Sequence, residues 1–144
     1  MPGTDAARSY AELRRHEAAA PKMLYAIDAH CTPDSPVTDV TALTALATAA
    51  VNAGGGHVLD ASHVVFPNRA ITLVLILAES HLSIHTWPEE NLIAIDLFSC
   101  GAINGQAVLD GLTDGLRLTQ VTVRQVERGL PPASDRTRAP QPTR

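Results

Sequence analysis

The reactive side chains of this 144-residue chain concentrate in one stretch, Ala78 to Gly101. A hydroxyl (Ser80), an imidazole (His85) and a thiol (Cys100) lie within it, and proteins use these groups for nucleophilic attack and proton transfer. Each alone favours a structural role, since no GxSxG motif surrounds the serine and a cysteine at a strand end is commonly a small buried hydrophobe. The stretch therefore predicts an active site only if the fold brings Ser80, His85 and Cys100 together.

Strand geometry sets a condition on that grouping. If residues 81–87 form a regular strand, alternation directs Ser80 and His85 to opposite faces of the sheet. Their cooperation then requires a turn or a bulge at Glu79–Ser80. The two-residue alternation of a strand therefore does not by itself support a Ser80–His85 pair.

Composition limits the classes of partner. A net charge of −4 and a sequence pI near 5.8 argue against nucleic acid and anionic membrane surfaces, which both favour basic proteins. Every apolar run is too short for a transmembrane helix, and the first residues lack the apolar segment of a secretory signal. With two cysteines and no CxxC, HExxH or HxH motif, we expect reduced thiols, a cytoplasmic location and no bound metal.

The elements that must position the central stretch follow from hydrophobic periodicity, which predicts the order βαββ-ββαβ. The predicted strands are 23–30, 57–65, 71–78, 81–87, 92–99 and 119–127, and the predicted helices are 41–53 and about 104–116. Asp39 and Asn104 are the candidate N-caps, and the glycines 54–56 end the first helix. We predict an α/β (α+β) two-layer sandwich, with both helices on one face of an antiparallel sheet of about six strands. The other face needs cover, so we expect a homodimer.

One domain is predicted, spanning residues 22–130. Residues 1–21 are charged and alanine-rich, and we interpret them as an N-terminal extension with a short helix over Ala6 to Ala20. Residues 131–144 are rich in Pro, Arg and Thr, a composition typical of a disordered tail.

The motif at residues 79–89, ESHLSIHTWPE, closely resembles the signature of the prokaryotic-type S-adenosylmethionine decarboxylases. That signature reads ESHL[ST]IH[TS]WPE, followed at a fixed distance by a strand that ends in CG, as Cys100-Gly101 does here. The resemblance extends over about residues 22–130, and an accidental match of this length is very improbable.

The resemblance is interrupted at three places around the motif. The family usually has GVSG where this chain has Ala70 to Leu73, although Thr72 keeps the hydroxyl of the family serine. After WPE the family has an aromatic-glycine pair such as YGY, and this chain has Glu90-Asn91-Leu92. Pro67 directly follows Phe66, one position earlier than in the family.

The resemblance implies an enzyme that makes its own cofactor from the precursor chain. It implies that the Ser80 hydroxyl attacks the carbonyl of Glu79, that the amide becomes an ester, and that elimination leaves a pyruvoyl group at residue 80. The pyruvoyl carbonyl then forms a Schiff base with the amine of S-adenosylmethionine and accepts electrons as carbon dioxide leaves. The product is the aminopropyl donor of spermidine biosynthesis.

The resemblance also assigns roles to side chains. The processing and catalytic roles fall on Ser80 (pyruvoyl precursor), Glu79 (cleavage-site partner), His85 and Thr72 (processing) and Cys100 (proton donor). The substrate contacts fall on Phe66, which matches an adenine-stacking phenylalanine, Leu82 and Glu89.

Two alternatives remain open. The altered residues beside the motif also fit a pyruvoyl-dependent arginine or ornithine decarboxylase of the same superfamily, since Glu89 and Glu90 together can attract a basic side chain. The third interpretation is an unprocessed, non-catalytic homologue with a binding or regulatory role.

Overall fold

The structure, a computed structural model, describes residues 21–100 and 103–130. These residues form two α-helices and a six-stranded sheet. In chain order the elements are β1 (Lys22–Cys31), α1 (Val40–Ala53), β2 (Val58–Val65), β3 (Ile71–Leu77), β4 (Ser80–Trp87), a 3₁₀ turn (Pro88–Glu90), β5 (Leu92–Ser99), α2 (Gly105–Leu116) and β6 (Leu118–Arg128). The predicted order and the two-layer α+β class are confirmed. The predicted tail, and the predicted extension apart from residue 21, lie outside the described residues.

The sheet is a meander with one strand inserted. Its spatial order is β2-β3-β4-β5-β1-β6, and every neighbouring pair is antiparallel. Two hairpins fix the register of the central strands: Leu77 pairs with Ser80 across a two-residue turn, and Trp87 pairs with Leu92 across the 3₁₀ turn. The start of β4 therefore lies between the end of β3 and the end of β5.

Local interactions begin and end the helices at the positions that the sequence predicts. The Asp39 carboxylate accepts the first free backbone N–H groups of α1, and the Asn104 side chain accepts the Ala107 N–H at 3.1 Å in α2. Gly54 ends α1, and its N–H donates to the Ala50 carbonyl. Neither described helix has the length or apolar character needed to span a bilayer.

An aliphatic core lies between the sheet and the helices. Alternate residues of β3, β4 and β5 face it, and the most buried of these are Ile71, Leu73, Leu75, Leu82, Ile84, Ile93, Ile95 and Leu97. The helices contribute the other wall, with Leu43, Ala47, Val51, Val108, Leu112 and Leu116. Because strand side chains alternate, the residues in between face away from the helices.

The second face of the sheet has no layer over it in the described part of the chain. Ile76 and Val126 are each 46% exposed, and Trp87 is 40% exposed. We call this surface the open face. It carries large apolar side chains in water, which is typical of a surface that binds another protein.

The observed bounds differ from the predicted ones by one residue at several ends. β3 ends at Leu77, because Ala78 belongs to the turn. β4 begins at Ser80, because that residue already pairs with Leu77 and with Ser99. The predicted strand 92–99 has the observed bounds, since the 3₁₀ turn and the following loop both interrupt pairing.

Candidate active site

The tight turn before β4 holds the bond that the resemblance predicts to break. Ala78 and Glu79 form the turn, and Ser80 follows as the first residue of β4. Ser80 has a φ of 146°, in a region of backbone conformation that residues other than glycine rarely adopt. Such conformations cost roughly 1–3 kcal/mol and persist only where the surrounding structure enforces them. Backbone strain is therefore stored next to the Glu79–Ser80 bond.

The carbonyl of that bond is held by a neighbouring strand. The Cys100 backbone N–H donates to the Glu79 carbonyl oxygen at 3.0 Å, because the β4–β5 register places Ser80 opposite Ser99. A donor at this distance withdraws electrons from the carbonyl and stabilises negative charge on its oxygen during an attack. The structure thus brings together Glu79, Ser80 and Cys100, which we call the turn half-site.

The Glu79 side chain is held by a residue that the sequence did not indicate. Its carboxylate is 0% exposed, and it accepts the His57 backbone N–H at 3.1 Å and contacts His57 Nδ1 at 2.6 Å. His57 is more than half exposed and lies in the loop between α1 and β2. A contact across 22 positions has no local sequence signal, and the adjacent glycine run indicates only the end of a helix.

The two predicted processing residues meet on neighbouring strands. Thr72 and His85 are cross-strand partners, and Thr72 Oγ1 lies 3.2 Å from His85 Nδ1. The Trp87 ring stands beside the imidazole, with 6.4 Å between ring centroids. The register of the β3–β4 hairpin explains this contact. A two-residue turn at 78–79 pairs Leu77 with Ser80, and the same register pairs residue 72 with residue 85.

A cleft of about 530 Å³ opens beside these residues. Its walls include Phe66, Thr72, His85 and Trp87. Phe66 is 46% exposed, and Glu89 accepts a hydrogen bond at 3.1 Å from Asn68, which also lines the cleft. We call Phe66, Thr72, His85 and Glu89 the cleft half-site.

The two half-sites are separate within one chain. His85 lies five residues along β4 from Ser80, which corresponds to about 17 Å at the usual rise of a strand. β4 pairs with β3 and β5 in continuous register, so no bulge brings the two side chains together. The structure therefore keeps Ser80 and His85 apart within one chain, as strand alternation leads us to expect.

The structure places Leu82, which the resemblance predicts to contact the substrate, in the core of the fold. Leu82 is 0% exposed and belongs to the core between the sheet and the helices. It shares a strand face with Ile84, which is buried in the same core, so its side chain points away from the open face. Leu82 therefore packs within the fold.

Both cysteines are free, and burial raises the pKa of the Cys31 thiol. Within residues 21–100 and 103–130, no three His, Cys, Asp or Glu side chains are grouped as a metal would require.

Comparison with known proteins defines the class of enzyme. The family model for S-adenosylmethionine decarboxylase matches residues 24–129. The fold resembles the crystal structure of the adenosylmethionine decarboxylase from Aquifex aeolicus, with a TM-score of 0.69 and 25% identity over 79% of this chain and 95% of that one. The two-layer α/β sandwich and the family match together define the class as a decarboxylase.

Curated relatives agree with this assignment. An S-adenosylmethionine decarboxylase proenzyme of Picrophilus torridus is 32% identical over 107 residues, which cover 74% of this chain and 78% of the relative. Proenzyme 2 of Bacillus anthracis is 38% identical over 82 residues, covering 56% of this chain and 67% of the relative. The chain belongs to the S-adenosylmethionine decarboxylase family.

Proposed function

We propose that this chain is the precursor of a pyruvoyl-dependent S-adenosylmethionine decarboxylase that cleaves itself between Glu79 and Ser80. The observation that carries the proposal is the geometry around the Glu79–Ser80 peptide bond. Its carbonyl oxygen accepts the Cys100 N–H, and its serine has a strained φ of 146°. Family membership and the names of the relatives, which are proenzymes, support the same activity.

The cleavage chemistry uses atoms that the turn half-site already holds. The Ser80 oxygen bonds to the Glu79 carbonyl carbon, the C–N bond breaks, and the hydroxyl proton passes to the Ser80 nitrogen. The resulting ester then loses a proton from Cα of residue 80, and its Cβ–O bond breaks to release Glu79 as a carboxylate and leave dehydroalanine. A proton adds to Cβ to give an imine, water hydrolyses the imine with release of ammonia, and a pyruvoyl carbonyl remains at residue 80. The Cys100 N–H stabilises the oxyanion of the first step.

The residues around the turn fit the group that this reaction leaves behind. A pyruvoyl carbonyl supplies an electron sink for loss of carbon dioxide from an amino acid. The Cys100 thiol, next to the N–H that holds Glu79, is the proposed donor of the proton that replaces the carboxylate. The exposed ring of Phe66 offers a stacking surface for adenine, and the Glu89 carboxylate offers an acceptor for the nucleoside.

A homodimer joins the two half-sites in this proposal. Ser80 and His85 are about 17 Å apart in one chain, too far for proton transfer between them. We propose that a two-fold related copy covers the open face and that the turn half-site of one protomer meets the cleft half-site of the other, twice per dimer. The apolar side chains of Ile76, Trp87 and Val126 would then be removed from water.

The proposed setting is the cytoplasm, where the product would supply aminopropyl groups for spermidine. The free thiols of Cys31 and Cys100 support a reducing compartment.

Intact-mass measurement tests self-cleavage. We expect two fragments divided before Ser80, with the second lacking a free amino terminus, and we expect Ser80→Ala to leave the chain whole. A wild-type chain that stays whole after long incubation would falsify the proposal and favour the non-catalytic homologue.

Release of carbon dioxide tests the substrate. We expect release from S-adenosylmethionine and none from arginine or ornithine, compared side by side on the cleaved enzyme. Release from the basic amino acids alone would overturn the adenosyl assignment.

A further inference from the structure

Glu79 is the one charged residue that is buried in the part of the chain that the structure describes. A buried carboxylate is unfavourable unless it is paired and hydrogen-bonded. Both of its oxygens are held by a single residue, His57, through the backbone N–H at 3.1 Å and Nδ1 at 2.6 Å. The conformation of Glu79 therefore depends on His57.

His57 also holds the other residue of the turn. Its carbonyl oxygen accepts the Ala78 N–H at 2.9 Å. From the opposite side, the Cys100 N–H holds the Glu79 carbonyl. The turn that carries the scissile bond is thus fixed by three contacts from His57 and one from Cys100.

The glycine run explains how His57 reaches the turn. Gly55 has a φ of 86°, and a Cβ on Gly56 would lie 2.7 Å from the Val51 side chain. The Gly56 N–H also donates to the Val51 carbonyl at 2.9 Å. The backbone therefore folds tightly against the end of α1, which directs His57 towards β3 and β4.

We propose that His57 is a positioning residue for self-cleavage. By holding the Glu79 carboxylate it keeps the Glu79 carbonyl on the Cys100 N–H, and it maintains the strained backbone of Ser80. The first step of cleavage is attack of the Ser80 oxygen on the Glu79 carbonyl, and this carbonyl is then already aligned for the attack. The inference rests on the proposed function and adds a residue that lies outside the matched motif.

Cleavage kinetics of His57 variants test the role. The full chain is made by cell-free translation, and uncleaved and cleaved forms are followed by intact mass over time. Loss of a hydrogen bond to a charged group predicts that His57→Ala cleaves about 10- to 100-fold more slowly than wild type. His57→Asn, whose amide N–H takes the place of Nδ1–H, should cleave within about threefold of wild type. His63→Ala, at an exposed histidine of β2 that pairs with Leu73, should cleave at the wild-type rate.

Hydroxylamine identifies the step, because it cleaves an ester and leaves an amide intact. If His57 aligns the carbonyl for attack, folded His57→Ala chains stay largely amide and resist hydroxylamine. Accumulation of a hydroxylamine-sensitive ester would show that His57 acts on the elimination, and it would overturn a positioning role in the first step. Circular dichroism establishes that the chains are folded, and if His57→Ala is not, the Asn variant decides: slow cleavage there also overturns the proposal.

The outcomes separate this inference from the proposed function. A wild-type chain that does not cleave contradicts both. A wild-type chain that cleaves while His57→Ala cleaves at the same rate contradicts the role of His57 alone.

Discussion

Complementation between two inactive chains tests the two-half-site architecture. One chain carries Ser80→Ala in the turn half-site, and the other carries His85→Ala in the cleft half-site. In the proposed dimer, two copies of the same variant chain lack one essential group at both sites. In a mixed dimer, one site combines both changes, and the other combines the intact Ser80 of one chain with the intact His85 of its partner.

The size of the effect follows from the geometry. The distance of about 17 Å between Ser80 and His85 excludes direct cooperation within one chain. Random pairing of equal amounts gives mixed dimers for about half of the total, each with one intact site of two, so about one quarter of the sites are intact. We expect about half of the chains that carry Ser80, which is about one quarter of all chains, to be cleaved at the wild-type rate, and decarboxylase activity of about one quarter of the wild-type value.

Co-expression with two different affinity tags and tandem purification isolates the mixed dimers for assay. The matched control mixes Ser80→Ala with Cys100→Ala. Because Ser80 and Cys100 belong to the same half-site, no combination of these chains contains a complete site for decarboxylation, and decarboxylase activity should stay at background. If the Ser80→Ala and His85→Ala mixture also stays at background while mixed dimers are recovered, the two-half-site reasoning is refuted.

Three further predictions concern single residues. Leu82→Ala should lower the free energy of unfolding by about 2–5 kcal/mol in urea titration without changing KM, since Leu82 packs in the core; a raised KM with unchanged stability would instead support the predicted substrate contact. Thr72→Val should slow cleavage about 2- to 10-fold by removing a neutral hydrogen bond to His85, whereas Thr72→Ser should cleave normally; equal rates for both variants would contradict this. Iodoacetamide at neutral pH should modify Cys100 before Cys31, because burial raises the pKa of Cys31 and leaves less thiolate; mass spectrometry identifies the alkylated fragment, and modification of Cys31 first would be the contrary result.

Local interactions account for the parts of the fold that were predictable. The N-caps Asp39 and Asn104 and the bounds of the strand 92–99 follow from side chains and turns within a few residues of each end. The place of β1 between β5 and β6 does not, because pairing between strands distant in sequence leaves no local pattern. Strand order is decided by how the whole chain buries its apolar faces.

The same division applies to the site. The neighbourhood of Ser80 and Cys100, and that of Thr72 and His85, follow from the register of adjacent hairpins and were within reach of the sequence. The motif indicated the residues, and the predicted strand already argued against a Ser80–His85 pair within one chain. His57 was missed because its contact with Glu79 is a tertiary contact.

The departures from the family signature change less than their number implies. Asn91, where the family has glycine after WPE, has a φ of 49°, a left-handed conformation that asparagine tolerates better than most residues. Leu73, at the second glycine of GVSG, is 0% exposed and packs in the core away from the cleft. Ala70, at the first glycine, lines the cleft. Of these three positions, only the Ala70 methyl lies where it can alter the space offered to a substrate.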